Sequence, residues 1–182
     1  MLVLVVGPSG AGKDTLLDVV ATELDGDPRF RFARRVVTRP PSPTEPFDSV
    51  SPAAFEALRR SGGFALSWQA HGLRYGVPAD ITADLASGRV VVVNVSRGVI
   101  AEAAEQFPAR VIEITAPAEV LARRLAARGR EDAGDVARRL ARQIELPMPI
   151  ERDTIMNDGS IEQGARQLRD LLIRAAADAP RS

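Results

Sequence analysis

The segment "LVLVVGPSGAGKDTLL" at residues 2–17 limits the fold more than any other part of the chain. Leu2–Val6 is an unbroken apolar run with no polar face, so as a strand it must be covered on both sides. Glycines at 7, 10 and 12 break the run at once. The following "DTLLDVVATEL" then places Leu16, Leu17, Val20 and Leu24 on one side of a helix. A buried strand that passes through a glycine turn into a helix is the opening unit of an α/β protein.

The same alternation recurs. "RVVVVNV", "ARVIEIT" and "RDTIMN" read as further strands, separated by helical stretches such as "RGVIAEAAEQF" and "APAEVLARRLAARG". Alternating strands and helices predict a parallel sheet with helices on both faces. Residues 30–78 interrupt the rhythm. Residues 30–37 suit a strand, and "TRPPSPTEP", with four prolines in nine residues, must be a loop. "SPAAFEALRRSGG" is a helix with Ser51 as cap and Pro52 in its first turn. "FALSWQAHGLRYGV" predicts two strands joined near Gly72. The expected organisation is one domain over 1–182, with a core of 1–29 and 79–182 and an inserted lobe of about 30–78.

The glycine segment matches Gly7, four residues, Gly12, Lys13, which is the P-loop pattern in its proper strand-to-helix context. Gly10 and Gly12 let the backbone turn several N–H groups towards a phosphate. The helix behind them adds its positive N-terminal end. Gly7, Pro8, Ser9, Gly10, Ala11, Gly12, Lys13, Asp14 and Thr15 are therefore the expected ATP-binding residues. Lys13 is the single lysine in the chain; the other 23 basic residues are arginine. A compact ammonium can reach the β- and γ-phosphates where a forked guanidinium would not fit. Lysine is kept at the position where arginine would fail.

Asp14 stands where a Mg²⁺-ligating hydroxyl is usual. The acidic residue expected at the end of a second buried strand is missing too, because "RVVVVNVS" ends on Asn94 and Ser96. Asp14 is expected to supply part of that lost negative charge, with Thr15 beside it, so both are candidate Mg²⁺ ligands. The bland alternative is that Asp14 only stabilises the helix N-terminus.

Arginines gather in two places. "ARRLAARGRED" and "VARRLAR" suggest a helical lid over about 124–138 that closes on the transferring group. Arg128, Arg130 and Arg139 are its candidate catalytic cations, while Arg123 and Arg142 are expected on a solvated face. The inserted lobe carries Arg34, Arg35, Arg39 and Arg74, and Arg97 follows a buried strand where ligands of such sheets bind. One of Arg34 and Arg35 is expected to be an exposed strand residue. Arg35, Arg39 and Arg97 are the candidates for binding a phosphorylated acceptor. His71, the lone histidine, is expected to be structural, and Trp68 and Tyr75 to pack the lobe.

Composition closes off other classes. The chain has no cysteine, and 24 acidic residues balance 24 basic ones. Disulfides and thiol chemistry are excluded, and neither nucleic acid nor a membrane is an expected partner. No apolar run is long enough to span a bilayer, so a cytoplasmic location is expected. The oligomeric state stays open, a homodimer being the alternative to a monomer.

The combination "GPSGAGKDTL", "TRPP", "YGVP", "RLAARGRE" and "NDGS" resembles the guanylate-kinase-like branch of the nucleoside-monophosphate kinases over nearly the whole chain. Within that branch it is most similar to the ribose 1,5-bisphosphate phosphokinases of phosphonate breakdown. The resemblance implies an α/β P-loop NTPase fold of three layers, with a five-stranded parallel sheet, an inserted substrate lobe and a helical lid. It also implies ATP with Mg²⁺, a small phosphorylated sugar as acceptor, and roles for Lys13, Arg39, Glu45, Tyr75, Arg128 and Arg139. Glu45 and Tyr75 join the acceptor-binding candidates on that ground. Departures from guanylate kinases fall on the base-reading groups: Ser67 precedes Trp68 in place of a glutamate, Asn94 replaces an aspartate, and Val77 replaces a hydroxyl. A site stripped of those partners loses discrimination for guanine, which favours a base-free sugar phosphate. Two alternatives are a guanylate kinase with altered base contacts and a non-catalytic phosphopeptide-binding module. An intact P-loop speaks against the module.

Overall fold

A computed structural model describes residues 1–41, 47–126 and 150–179. Strand β1 (Leu2–Val6) is wholly buried and lies at the centre of a five-stranded sheet. Its neighbours are β7 (Val90–Asn94) on one side and β8 (Ala109–Thr115) on the other. β2 (Phe30–Phe32) and β9 (Arg152–Met156) form the edges, giving the order β2-β7-β1-β8-β9. Every pairing in this sheet is parallel, as the apolar runs require.

The residues of β1 alternate between two cores. Val3 and Val5 pack with Leu16 and Val20 of α1 (Lys13–Glu23), Leu121 of α5 (Ala118–Ala126), and Leu168 and Leu172 of α6 (Ile161–Asp178). Leu2, Leu4 and Val6 face Ile81 of α3 (Ile81–Ala86), Ile100 and Ala103 of α4 (Ile100–Gln106), and Leu66 and Val77 at the root of the lobe. Each such valine, leucine or isoleucine, fully buried, contributes about 1.5–3 kcal/mol. Arg110 is buried among these strands and its guanidinium is held by Glu151 at 2.5 Å, Asp153 at 3.1 Å and Asp178 at 3.2 Å. That cluster ties the end of α6 and the edge strand β9 to β8.

The lobe has its own four-stranded sheet, ordered β4-β3-β6-β5, from β3 (Arg35–Val37), β4 (Phe47–Ser49), β5 (Phe64–Ala70) and β6 (Leu73–Pro78). Helix α2 (Pro52–Arg60) packs beside it, with the Ser51 hydroxyl accepting from the Ala54 N–H as the sequence predicts. Two details differ from expectation. The single strand expected over 30–37 divides: Phe30–Phe32 pairs with β7 in the main sheet, while Arg35–Val37 joins the lobe. The segment after the proline-rich loop also contributes β4, a three-residue strand parallel to β3. At Gly76 an added Cβ would meet the Phe64 ring at 2.5 Å. That contact explains the glycine of "YGVP", because Phe64 in turn stacks on Phe55 of α2.

Candidate active site

The glycine loop leaves the C-terminal end of β1 and caps α1. Gly12 is the N-cap residue, in the left-handed region at φ 88°. Gly7 cannot carry a side chain, since a Cβ there would lie 1.9 Å from the Ile114 carbonyl oxygen of β8. Lys13 is the first residue of α1. Its Nζ donates to the carbonyls of Gly7 and Pro8, at 2.9 Å each, so the ammonium lies across the loop it follows. The Ala11 N–H donates to the Pro8 carbonyl at 3.3 Å, and the Leu16 N–H to that of Gly12 at 3.0 Å. Two further carbonyls are taken by distant side chains: Arg124 Nη1 donates to Gly10 at 3.4 Å and Asn157 Nδ2 to Ala11 at 2.8 Å.

Asp14 lies at the junction of the loop, the main sheet and the lobe. Its Oδ1 accepts from Asn94 Nδ2 at 2.7 Å and from Arg35 Nη2 at 3.5 Å. Asn94 is buried at the C-terminal end of β7, and its amide faces the carboxylate across the site. Thr15, the next residue along α1, is exposed. One turn further, burial and then the Asp14 charge push the Asp18 carboxyl above the usual carboxylate range. The region therefore concentrates negative charge on the helix that starts at the loop.

The structure separates the lobe arginines. The Arg34 side chain is 62% exposed and sits 3.7 Å from Asp48, whereas that of Arg35 is 14% exposed and reaches Asp14. Arg35 also lies 6.0 Å from the centre of the Tyr75 ring, which stacks almost parallel on Trp68 with ring centres 5.3 Å apart. Arg39 lies over Phe47, 4.6 Å from its ring centre, and its carbonyl accepts from the Ser49 hydroxyl. Arg74 pairs with Glu56 of α2 at 2.9 Å, which gives it a partner within the lobe. Arg97, in a 3₁₀ turn after β7 (Arg97–Val99), bonds the buried Glu113 of β8 at 2.5 Å, and Arg152 reaches the other oxygen of the same carboxylate.

Asp14, Arg35 and Tyr75 are thus brought together, and Lys13 adjoins Asp14 along α1. Arg39 and Arg97 hold separate positions, one in the lobe and one at the end of the sheet. Arg123 is exposed on α5, as expected of a solvated face. His71 occupies the β5–β6 turn with φ 53°. Glu45, Arg128, Arg130, Arg139 and Arg142 lie outside the described residues, as does most of the expected lid; 124–126 continue α5. The sequence offers Arg124 only as part of the expected lid of about 124–138, and assigns Asn157 no role. The only pointer to Asn157 was its place in "NDGS". Among the described residues no group of three or more acidic or histidine side chains could hold a metal, and no helix is long and apolar enough to cross a membrane.

No protein-family model matches the chain. It is 52% identical over 168 residues to the ribose 1,5-bisphosphate phosphokinase PhnN of Methylobacterium radiotolerans, covering 92% of this chain and 94% of that protein. It is 48% identical over 174 residues to the protein of the same name from Acidiphilium cryptum, covering 95% and 92%. Among solved structures, the guanylate kinase of Anaplasma phagocytophilum superposes with a TM-score of 0.70 over 96% of this chain and 86% of that one. At 18% identity, that likeness speaks for the fold alone.

Proposed function

The chain belongs to the ribose 1,5-bisphosphate phosphokinase family, and from that premise we propose that it moves the γ-phosphoryl group of ATP onto the 1-phosphate of α-D-ribose 1,5-bisphosphate. The products are ADP and 5-phospho-α-D-ribose 1-diphosphate, the compound that phosphonate breakdown in this family yields. One phosphate oxygen attacks the γ-phosphorus while the bond to the β-phosphate oxygen breaks. The attacking oxygen is already ionised, so the reaction needs no general base. Its demands are alignment and charge stabilisation.

The observation that carries this reading is the length of the relationship. Chain and relatives cover each other almost end to end, so the lobe lies inside the matched length together with the P-loop. The loop N–H groups and Lys13 would hold the β- and γ-phosphates of ATP. Lys13 would exchange its bonds to Gly7 and Pro8 for bonds to phosphate oxygens. Arg35, Arg39, Tyr75 and Glu45 of the lobe of about 30–78, with Arg97 from the end of the main sheet, would hold the acceptor. Arg128, Arg130 and Arg139 would stabilise charge on the transferring group as the segment 124–138 closes and excludes water.

The donors near the loop suit Mg²⁺, a hard cation that takes oxygen ligands and keeps several waters. Both side-chain donors to Asp14 engage Oδ1, so Oδ2 would serve the cation, with the Thr15 hydroxyl close along the helix. When bound with ATP, Mg²⁺ neutralises phosphate charge and steadies the γ-phosphoryl group. The partner in turnover is this small phosphorylated sugar, the place of work is the cytoplasm, and a homodimer is compatible with it. The direct experiment supplies purified protein with ATP, Mg²⁺ and either ribose 1,5-bisphosphate or GMP and identifies the products. Formation of 5-phosphoribosyl 1-diphosphate is the expected result. Preferential formation of GDP would replace this reading with a guanylate kinase.

A further inference from the structure

Asn157 follows β9, 146 residues from the loop it touches, and is 5% exposed. Its backbone N–H bonds the Thr115 carbonyl at 2.7 Å, which fixes the residue to the end of β8. Its side chain fills the gap between the loop and α6. A Cβ on Gly12 would meet Asn157 Nδ2 at 2.5 Å, and one on Gly164 would meet Asn157 Oδ1 at 3.0 Å. Gly164 lies inside α6, where glycine costs roughly 0.5–1 kcal/mol relative to alanine. The need for room beside the carboxamide, and beside Leu16 at 3.0 Å, accounts for that glycine.

The acceptor of the Asn157 amide is the Ala11 carbonyl. That carbonyl and the Gly12 N–H belong to one planar peptide unit, and no peptide bond among the described residues is cis. In a trans unit the two groups point in opposite directions. A donor that holds the carbonyl therefore also aims the N–H. We propose that Asn157 is a positioning residue for nucleotide binding: it holds the Ala11 carbonyl outward, so the Gly12 N–H points into the mouth of the loop before any phosphate arrives. Arg124 acts on the Gly10 carbonyl in the same sense, but it is a long, partly exposed cation. Asn157 is short, neutral and enclosed, so it has little freedom to let the peptide turn over. Without it the unit can flip and present its oxygen to the phosphates, which repels them. The inference rests on the reading of residues 7–15 as the ATP site.

The test uses Asn157→Asp, nearly isosteric but without the donor, and Asn157→Ala. Titration calorimetry with Mg²⁺ and a non-hydrolysable ATP analogue gives affinity, steady-state kinetics give both KM values, and thermal unfolding gives stability without ligand. The expected result is a loss of analogue affinity of about tenfold or more, a matching rise in the KM for ATP, and an unchanged KM for ribose 1,5-bisphosphate. If Asn157→Ala does not fold, Asn157→Asp decides. A folded variant with full analogue affinity, or one that loses stability alone, would overturn the proposal. Failure of the wild-type protein to bind the analogue would remove the ATP-site reading, and this inference with it.

Discussion

Asn94 Nδ2 donates to Asp14 Oδ1 across 2.7 Å, joining the end of β7 to the first turn of α1. P-loop enzymes commonly place a hydroxyl at the helix position and a carboxylate at the strand position, and both serve Mg²⁺. Here the carboxylate is on the helix and a neutral amide is on the strand. The pair holds the same single negative charge with its carrier exchanged. Asp14→Asn should then lower kcat by ~100-fold and abolish the response of nucleotide binding to Mg²⁺. The double variant Asp14→Ser with Asn94→Asp should regain at least about tenfold of that loss, because neighbouring sites are not additive. Mg²⁺ titrations of the single and double variants measure it. A double variant no better than Asp14→Asn would mean that the position of the charge matters and its presence does not suffice.

Lys13 spans the loop through its bonds to Gly7 and Pro8. These bonds are replaceable by water, so removing the ammonium should leave the fold nearly intact. Lys13→Ala is expected to reduce kcat by ~100-fold or more with little change in melting temperature. Lys13→Arg should recover little, because a planar fork does not fit a cradle shaped for a point charge. Near-normal turnover by either variant would remove Lys13 from the reaction.

Burial separates the two neighbouring lobe arginines. Arg34 is mostly exposed beside Asp48, where an ion pair contributes ~0–1 kcal/mol. Arg35 is largely buried between Asp14 and the Tyr75 ring. Arg35→Met keeps the apolar stem and removes the charge. It should raise the KM for the acceptor by about tenfold or more, since charge-assisted bonds to phosphate are the strong class. Arg34→Met should change it little. Equal effects of the two substitutions on the acceptor KM would show that the burial difference has no bearing on the acceptor.

What could be read in the sequence was what short stretches settle by themselves. Leu2–Val6 and residues 90–93 have no polar face, so their place inside a parallel sheet follows from their own side chains. The Ser51 cap and the glycine loop are equally local. The division of 30–37 between two sheets was hidden, because it depends on which distant edges, β7 and β6, are offered to Phe30–Phe32 and Arg35–Val37. β4 was hidden for a similar reason: a three-residue strand holds its shape only through its partner. Among site residues, Lys13 and Asp14 stood out by position within a motif. Asn157 did not, since a buried carboxamide bonded across 146 residues leaves no periodic trace.

Helix α3 is fastened to the sheet edge by Asp84, which bonds Arg31 of β2 and, at 2.6 Å, Arg89 just before β7. Burial alone would push the Asp84 carboxyl up. The hydrogen bonds and charges of Arg31, with those of Arg89, outweigh it and hold the group below its ordinary value of 3.8. A carboxyl lowered in the folded state contributes stability that is fully present above its unfolded value. That contribution fades as pH falls through the folded one. Asp84→Asn should therefore lower the urea midpoint at pH 7, and the gap from wild type should narrow as pH is taken below about 4. A gap of constant size across that range would assign the effect to shape and not to charge.

The turn between β5 and β6 has two residues, His71 and Gly72, with φ 53° and 73°, closed by the Ala70–Leu73 pair. Positive φ at both central positions marks the hairpin turn that favours Asn-Gly. A left-handed conformation costs a residue with a Cβ roughly 1–2 kcal/mol, less where a short polar side chain can bond locally. Histidine tolerates the position and asparagine suits it better. His71→Asn should therefore raise the melting temperature by ~2–4 °C, the shift that a gain of ~1 kcal/mol gives in a chain of this size. His71→Val, branched at Cβ, should lower it by more. Neither change should alter kcat, because both turn residues are exposed and the histidine is expected to shape the hairpin. Differential scanning calorimetry beside a coupled ADP assay reads both quantities. A fall in kcat with the fold intact in His71→Asn would return the lone histidine to the candidate catalytic groups.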